Sequence, residues 1–260
     1  MLNIVVCIKF VRTDLVNENQ ETEDRFVLNP YDLFTLECAV SWKNQMDCNV
    51  ICLTMGPKGI QPYLQRLYGM GADRVICLSD SVFAGSDTVA TSYILSSFIR
   101  ECLNYDLILC GEMAVDGETG QVPAGLAARL NVRYVSGVKA VREFRKDSIV
   151  LEAGNSEFDT ELLVAIPAVL SVNEFTMKAK SVGLMALKKA QQKEIEIITS
   201  GDFNVDVSKC GLRGSKTKVL EVEANFIKKD SQRLYGEGKR EAELIKKLVM
   251  KNHGEMCANE

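Results

Sequence analysis

An α/β fold on a doubly wound, mostly parallel sheet is what this sequence predicts, and three observations carry that prediction. Near-continuous apolar runs recur at Ile4–Ile8, Asn49–Leu53, Arg74–Leu78 and Leu107–Cys110, as expected of strands covered by helices on both faces. Helix-length amphipathic segments lie between them, and such a strand–helix–strand rhythm implies parallel crossovers. The composition is that of a globular chain, 47% hydrophobic and 25% charged over 260 residues. That length suits one large domain or a domain with an appendage.

The elements follow in order. Ile4–Ile8 is the first buried strand; the segment Met1–Lys9 has neither a basic leader nor a small-residue cleavage site. Asn29-Pro30-Tyr31-Asp32 is a turn into a helix over Asp32–Asn44, with Asp32 as its expected cap. Helices are also predicted over Ile60–Tyr68 and Thr88–Leu103, the latter with Ser86 or Asp87 as N-cap. After Leu130 the rhythm changes. Val138–Phe144, Ser148–Ala153 and Leu162–Val172 have strand character, and their close spacing predicts antiparallel hairpins, with Pro167 at an edge or bulge. Lys178–Lys193 is basic and helix-compatible, and Glu237–Lys251 carries a one-sided apolar stripe that must be buried against the body or a partner.

Several function classes are excluded early. A net charge of -4 and a pI near 5.4 argue against a general nucleic-acid binder. No apolar run approaches the roughly 20 residues of a membrane helix. The one histidine, His253, sits in a charged tail, which removes most His-based metal sites and catalytic triads. Nine cysteines without paired metal spacing fit reduced thiols in the cytoplasm.

The segment that carries chemistry runs from Asp106 to Pro123. An apolar strand enters a loop containing Gly111, Gly117 and Gly120, and the loop enters a helix over Ala124–Leu130 with Pro123 in its first turn. Ligands of open α/β sheets sit at strand C-termini, and a helix N-terminus offers free N–H groups to an anion. Asp116 is placed to accept from a ribose hydroxyl; Thr119 and Gln121 are placed to donate. The competing reading is a glycine-rich turn shaped by packing alone. Thr88 and Thr91, one helical turn apart, present their hydroxyls on one side, and capping by Asp87 needs no ligand. Cys48 and Cys52 read as buried thiols, and Leu184 reads as an apolar anchor in basic surroundings.

These residues resemble the β (small) subunit of electron-transfer flavoproteins, closest to the anaerobic, bifurcating-type members. The resemblance runs through Val5-Val6-Cys7-Ile8-Lys9, Leu28 to Asp32, Met55-Gly56-Pro57, Gly69 to Asp73, Gly111 to Gln121, Ile166 to Val169 and Gly211 to Ser215. It implies an adenine nucleotide α-hydrolase-like domain over residues 1–220 and an arm over 221–260 that packs on an FAD-bearing α subunit. It implies an adenine nucleotide in this subunit, FAD in preference to AMP. The residues it places around that nucleotide are Cys7, Asn29, Pro30, Tyr31, Asp32, Met55, Asp87, Thr88, Thr91, Ala114, Val115, Asp116, Gly117, Glu118, Thr119, Gly120, Gln121 and Val122. Leu184 lies in the loop that family members insert into a dehydrogenase partner, such as one of acyl-CoA dehydrogenase type. The family's Asn-Glu-Pro-Arg ahead of that loop is replaced by Met177-Lys178-Ala179-Lys180. Electron transfer, with bifurcation, is the implied activity. The competing classes are a stand-alone adenine-nucleotide-binding regulatory module and a substrate-adenylating enzyme; for the latter, Lys9 to Asp14 supplies no phosphate loop.

Overall fold

A computed structural model describes residues 1–13, 26–154, 157–172 and 182–217, with five isolated positions between 238 and 246. The chain divides into a unit over Met1–Lys218 and another over Val219–Glu260. The apolar stripe over Glu237–Lys251, His253, Lys178 and Lys180 lie outside the described residues, the isolated positions apart.

The first unit is organised on β1 (Leu2–Ile8), β4 (Cys48–Met55), β5 (Arg74–Leu78) and β6 (Leu107–Gly111). Between β1 and β4 come β2 (Phe10–Arg12), β3 (Phe26–Leu28) and helix α1 (Pro30–Trp42). Helix α2 (Gln61–Gly69) joins β4 to β5, and α3 (Thr88–Cys102) joins β5 to β6. Helix α4 (Gln121–Leu130) follows β6. Strands β7 (Arg133–Phe144), β8 (Ser148–Gly154), β9 (Asp159–Ala165) and β10 (Ala168–Val172) come next. The described order ends with α5 (Leu184–Ala190), β11 (Glu196–Ile198) and a single helical turn at Gly211–Gly214.

The nine-stranded sheet has the order β11-β5-β4-β1-β6-β10-β7-β8-β9. It is parallel from β11 to β7 and antiparallel over β7-β8-β9, while β2 and β3 pair as a separate antiparallel ribbon. The predicted class is therefore the observed one. Strand alternation splits the core into two layers. Ile4, Val6 and Ile8 of β1 pack with Leu36, Ala39 and Trp42 of α1 and with Leu64 and Leu67 of α2. Val5 packs on the opposite face with Ile94, Phe98 and Ile99 of α3 and Leu126 of α4. Every one of these side chains is at most 4% exposed, so the middle of β1, Ile4 to Val6, is apolar because water reaches neither face there.

One sequence expectation is corrected. Leu162–Val172 is two strands, not one hairpin arm: Ile166-Pro167 forms a cis bond between them. Pro167 thus occupies a turn, where its missing N–H removes no ladder bond. After that turn β10 inserts in parallel between β6 and β7, with all five of its residues buried.

The connections fix where the winding of the sheet reverses. From β1 the chain moves outward through β4 and β5, then returns to place β6 on the other side of β1. Helices α1 and α2 lie on one face, α3 and α4 on the other. The switch point is therefore between the carboxyl ends of β1 and β6, the place where open α/β sheets leave a gap.

Candidate functional site

Two buried polar side chains from the start of α1 build the floor of that gap. Asp32 is 6% exposed. Its Oδ2 accepts from the Lys9 amide just past β1 (2.7 Å), and its Oδ1 accepts from the Gly111 amide at the end of β6 (3.2 Å). Asp32 was expected to cap its own helix; it instead joins the two strand ends that flank the switch point. Burial pushes its carboxyl up to about 7, against the lowering effect of the Lys9 amide, the Asn29 side chain, the Gly111 amide and the Lys9 charge.

Gly111 is required by this contact. A Cβ there would fall on Asp32 Oδ1 and lie 2.8 Å from Tyr31 Cβ. Gly111→Ala is expected to destabilise the fold by roughly 3 kcal/mol, since the clash includes the Tyr31 backbone, which a rotamer change cannot relieve; chemical denaturation measures it.

Asn29 occupies the N-cap position of α1 but makes no side-chain cap. Pro30 at the first position lacks an N–H to cap. The amide reaches instead to the loop after β6: Nδ2 donates to the Met113 carbonyl (2.9 Å), and the Val115 amide donates to Oδ1 (3.3 Å). Lys9 Nζ reaches the same loop through Asp116 Oδ1 at 2.7 Å. Asp116, expected to accept from a ribose hydroxyl, makes this ion pair, which is half-exposed at its lysine end and accordingly weak.

The loop from Glu112 to Gly120 carries two left-handed residues and one open-sided glycine. Glu118 adopts φ 50, one of two non-glycine residues with positive φ among the described residues, a conformation that costs energy. Gly120, at φ 59, makes the turn into α4. Gly117 has neither excuse: its φ is not left-handed, and a Cβ there would meet nothing within 4 Å. Open space beside a glycine is what close approach of a ligand to the backbone requires. Helix α4 begins at Gln121, one turn earlier than predicted, and no side chain caps it. The first amides of the helix, those of Gln121 and Val122, thus receive no side-chain cap at its positive end.

Helix α3 is the contrast. Asp87 Oδ1 accepts from the Ala90 amide (2.9 Å), and Oδ2 accepts from the amides of Lys216 (2.6 Å) and Thr217 (2.9 Å). Both its oxygens are engaged by the protein. The rest of that clasp is equally local: the Asp87 amide donates to Ser215 Oγ (2.9 Å), Ser215 Oγ to the Gly85 carbonyl (3.0 Å), and the Gly211 amide to Ser86 Oγ (3.1 Å). Asp87→Ala is expected to cost about 1–2 kcal/mol and to speed hydrogen exchange at the Lys216 and Thr217 amides. Exchange there unchanged from wild type would refute the clasp.

Thr88 ties α3 to α4 through Gln121 Oε1 (3.3 Å), bringing two nominated residues together. Behind them Gly125 of α4 abuts Ser92 of α3, where a Cβ would approach to 2.9 Å. Thr91 lies on the same helix end, half-buried. Cys7, at the end of β1, and Met55, at the end of β4, lie on the same carboxyl edge of the sheet. Leu184 stands away from this set, 71% exposed beside Met185 at 68%.

Sequence reasoning missed Lys9 and the bonding role of Gly111. Their signal was available: each sits at the point where a strand next to the switch ends. Thr54, one residue before Met55, was also passed over; its hydroxyl is buried without a hydrogen-bond partner. Among the described residues no group of three or more His, Cys, Asp or Glu is placed to hold a metal, and no helix is long and apolar enough to cross a membrane.

The sequence matches the model of the electron transfer flavoprotein domain over residues 19–202. It is 34% identical over 236 residues to protein FixA of Azorhizobium caulinodans, covering 85% of this chain and 84% of that one. It is 32% identical to the electron transfer flavoprotein subunit beta of Thermoanaerobacterium thermosaccharolyticum, covering 84% and 86%. Similarity to the caffeyl-CoA reductase-Etf complex subunit CarD of Acetobacterium woodii is 34%, covering 75% and 74%. A sheet whose switch point is floored by Asn29 and Asp32, together with these matches over most of its length, establishes that the chain belongs to the electron transfer flavoprotein family, among its β-subunit members.

Proposed function

We propose that this chain is the β subunit of a heterodimeric electron-transfer flavoprotein, that it holds FAD in the crevice between β1 and β6, and that it passes electrons between a dehydrogenase and an acceptor by flavin-based bifurcation. The observation that carries the nucleotide reading is the loop Glu112–Gly120, held from below by Asn29 and ending at an uncapped helix N-terminus. In this reading the amides of Gln121 and Val122 meet a phosphate, and the space beside Gly117 admits the nucleotide to the backbone. Cys7, Met55 and Tyr31 line its edge. Thr88 and Thr91 face the ring system, and the resemblance of Phe83–Ser92 to bifurcating members favours FAD over AMP.

Bound flavin supplies the electron chemistry; the chain supplies position, hydrogen bonding and exclusion of water. Asp32 and Asn29 fix the backbone that does this. They are buried and fully occupied by the protein, so they act through the loop and strand ends. Residues 221–260 are read as an arm that packs on the α subunit, and the heterodimer as cytoplasmic. The name of the CarD relative, which places it in a complex with a reductase, supports a dehydrogenase-type partner. Leu184 is read as the knob that enters it.

Two experiments test this. Co-expressed with its α subunit and desalted, the heterodimer is expected to release two FAD per complex; one FAD and one AMP overturns FAD in this subunit, and release from the α subunit alone overturns the crevice. Leu184→Asp is expected to slow electron transfer to the dehydrogenase by about tenfold, the loss of roughly one apolar anchor, with nucleotide content unchanged. An unaltered rate would dismiss the docking role.

A further inference from the structure

The crevice floor carries a second chemistry in its sulfur atoms. Strands β1 and β6 are parallel neighbours with Ile4 opposite Leu107, Val5 opposite Ile108 and Val6 opposite Leu109. One rung further, the same register sets Cys7 against Cys110. Both side chains are on the face covered by α3 and α4: Cys110 belongs to that core layer and Cys7 packs against it. Neighbouring strands place facing Cα atoms about 4.8 Å apart, inside the window of roughly 4.4–6.8 Å that a disulfide needs. No other rung among the described strands pairs two of the eight described cysteines, all of which are free thiols. Cys52 faces Val6 and Val75, Cys77 faces Thr54 and Ile197, and Cys48 faces Leu2.

We propose that Cys7 and Cys110 are a peroxide-sensitive dithiol that closes to an intrachain disulfide across the switch point. The two residues differ in ways that assign them different steps. Cys7 is partly exposed at the carboxyl edge, whereas Cys110 is buried. A hydrogen bond with Cys7, burial, and the charges of Cys7 and Asp32 push the Cys110 thiol well above its ordinary range. Cys7 is therefore the thiol that meets the oxidant. Hydrogen peroxide takes two electrons from the Cys7 thiol, giving its sulfenic acid and one water. The Cys110 sulfur then attacks that sulfenic sulfur, expelling the second water as the S–S bond forms. Two thiols and one peroxide give one disulfide and two waters. A thiol reductant reverses the change.

The bond would form beside the two amides that Asp32 holds. Lys9 is two residues beyond Cys7 and Gly111 is one beyond Cys110, so drawing the sulfurs together moves the strand ends on which the nucleotide loop is mounted. Oxidation state is thereby written into the crevice itself.

The test uses the full chain, exposed to a small excess of hydrogen peroxide, blocked with an alkylating agent and digested without reductant. The expected product is a peptide linking Cys7 to Cys110, two hydrogens lighter than its separate parts and lost on treatment with dithiothreitol. In Cys110→Ser the Cys7 sulfenic acid has no resolving partner, so it accumulates and is trapped by dimedone. In Cys7→Ser no linked peptide forms and Cys110 stays alkylatable after denaturation. Wild-type protein in which Cys7 takes dimedone while Cys110 stays a free thiol overturns the proposal, as does a failure of either thiol to react. The wild-type result needs no variant to fold.

Discussion

Asn29→Ala is expected to release the loop Glu112–Gly120. The substitution removes two hydrogen bonds in one step, from Nδ2 to the Met113 carbonyl and from the Val115 amide to Oδ1, at a residue that is 1% exposed. Deleting a buried partner strands the groups it satisfied, at about 1–3 kcal/mol each, so a loss of roughly 2–4 kcal/mol is expected from this site. The larger effect falls on binding. Asn29 spans 84 residues of sequence to reach the loop, and without it the loop relies on the exposed Lys9–Asp116 pair, worth at most about 1 kcal/mol. Nucleotide retained after desalting should fall at least about tenfold, the consequence of a loss of roughly 1.4 kcal/mol or more. Lys9→Met should lower it far less. Asn29→Asp makes a sharper variant: it keeps an acceptor for the Val115 amide but turns the donor to Met113 into a second acceptor beside Asp32. Retention equal to wild type in both Asn29 variants would mean the loop is held by something else.

Asp32 sets the second large effect, a dependence of stability on pH with an unusual sign. Its folded-state pKa of about 7 lies above the ordinary 3.8. Below the ordinary value the carboxyl is protonated folded and unfolded alike, and its contribution is fully present. As pH rises towards 7 the unfolded chain ionises first, so stability is progressively lost until the folded group ionises too. Between pH 5 and pH 8 the stability of wild type relative to Asp32→Asn should therefore fall, by on the order of 3 kcal/mol, and level off above pH 7. Most carboxylates in a fold behave in the opposite way. Urea denaturation of both proteins across that range measures the difference, and a flat or rising difference would show that Asp32 is ionised without cost.

How much of this was readable in the sequence differs by element for physical reasons. Strands β1, β4, β5 and β6 were legible because double coverage by helices demands unbroken apolar runs, a signal few other elements give. Strand β10 was not, since its parallel insertion between β6 and β7 is decided by a turn at Ile166-Pro167 that local pattern cannot distinguish from a bulge. The start of α4 was placed late because Pro123 reads as a first-turn residue, while Gly120 is the actual boundary. At the site, local pattern gave Asp32 only a cap, and the resemblance placed Asn29 and Asp32 around a nucleotide, but neither named the bonds that they make. Their partners, Met113 and Gly111, lie 84 and 79 residues away and are brought near by the sheet order alone. Asp87 shows the reverse case: its cap was readable from its place before α3, and its grip on Lys216 and Thr217 was not.

That grip settles where the remainder of the polypeptide takes its origin. Ser86, Asp87 and Ser215 bolt the last described stretch of the first unit to the same helix end whose Thr88 touches Gln121. Thr217 therefore cannot shift without loosening the start of α3, so the described part of the first unit finishes on a fixed point of the fold.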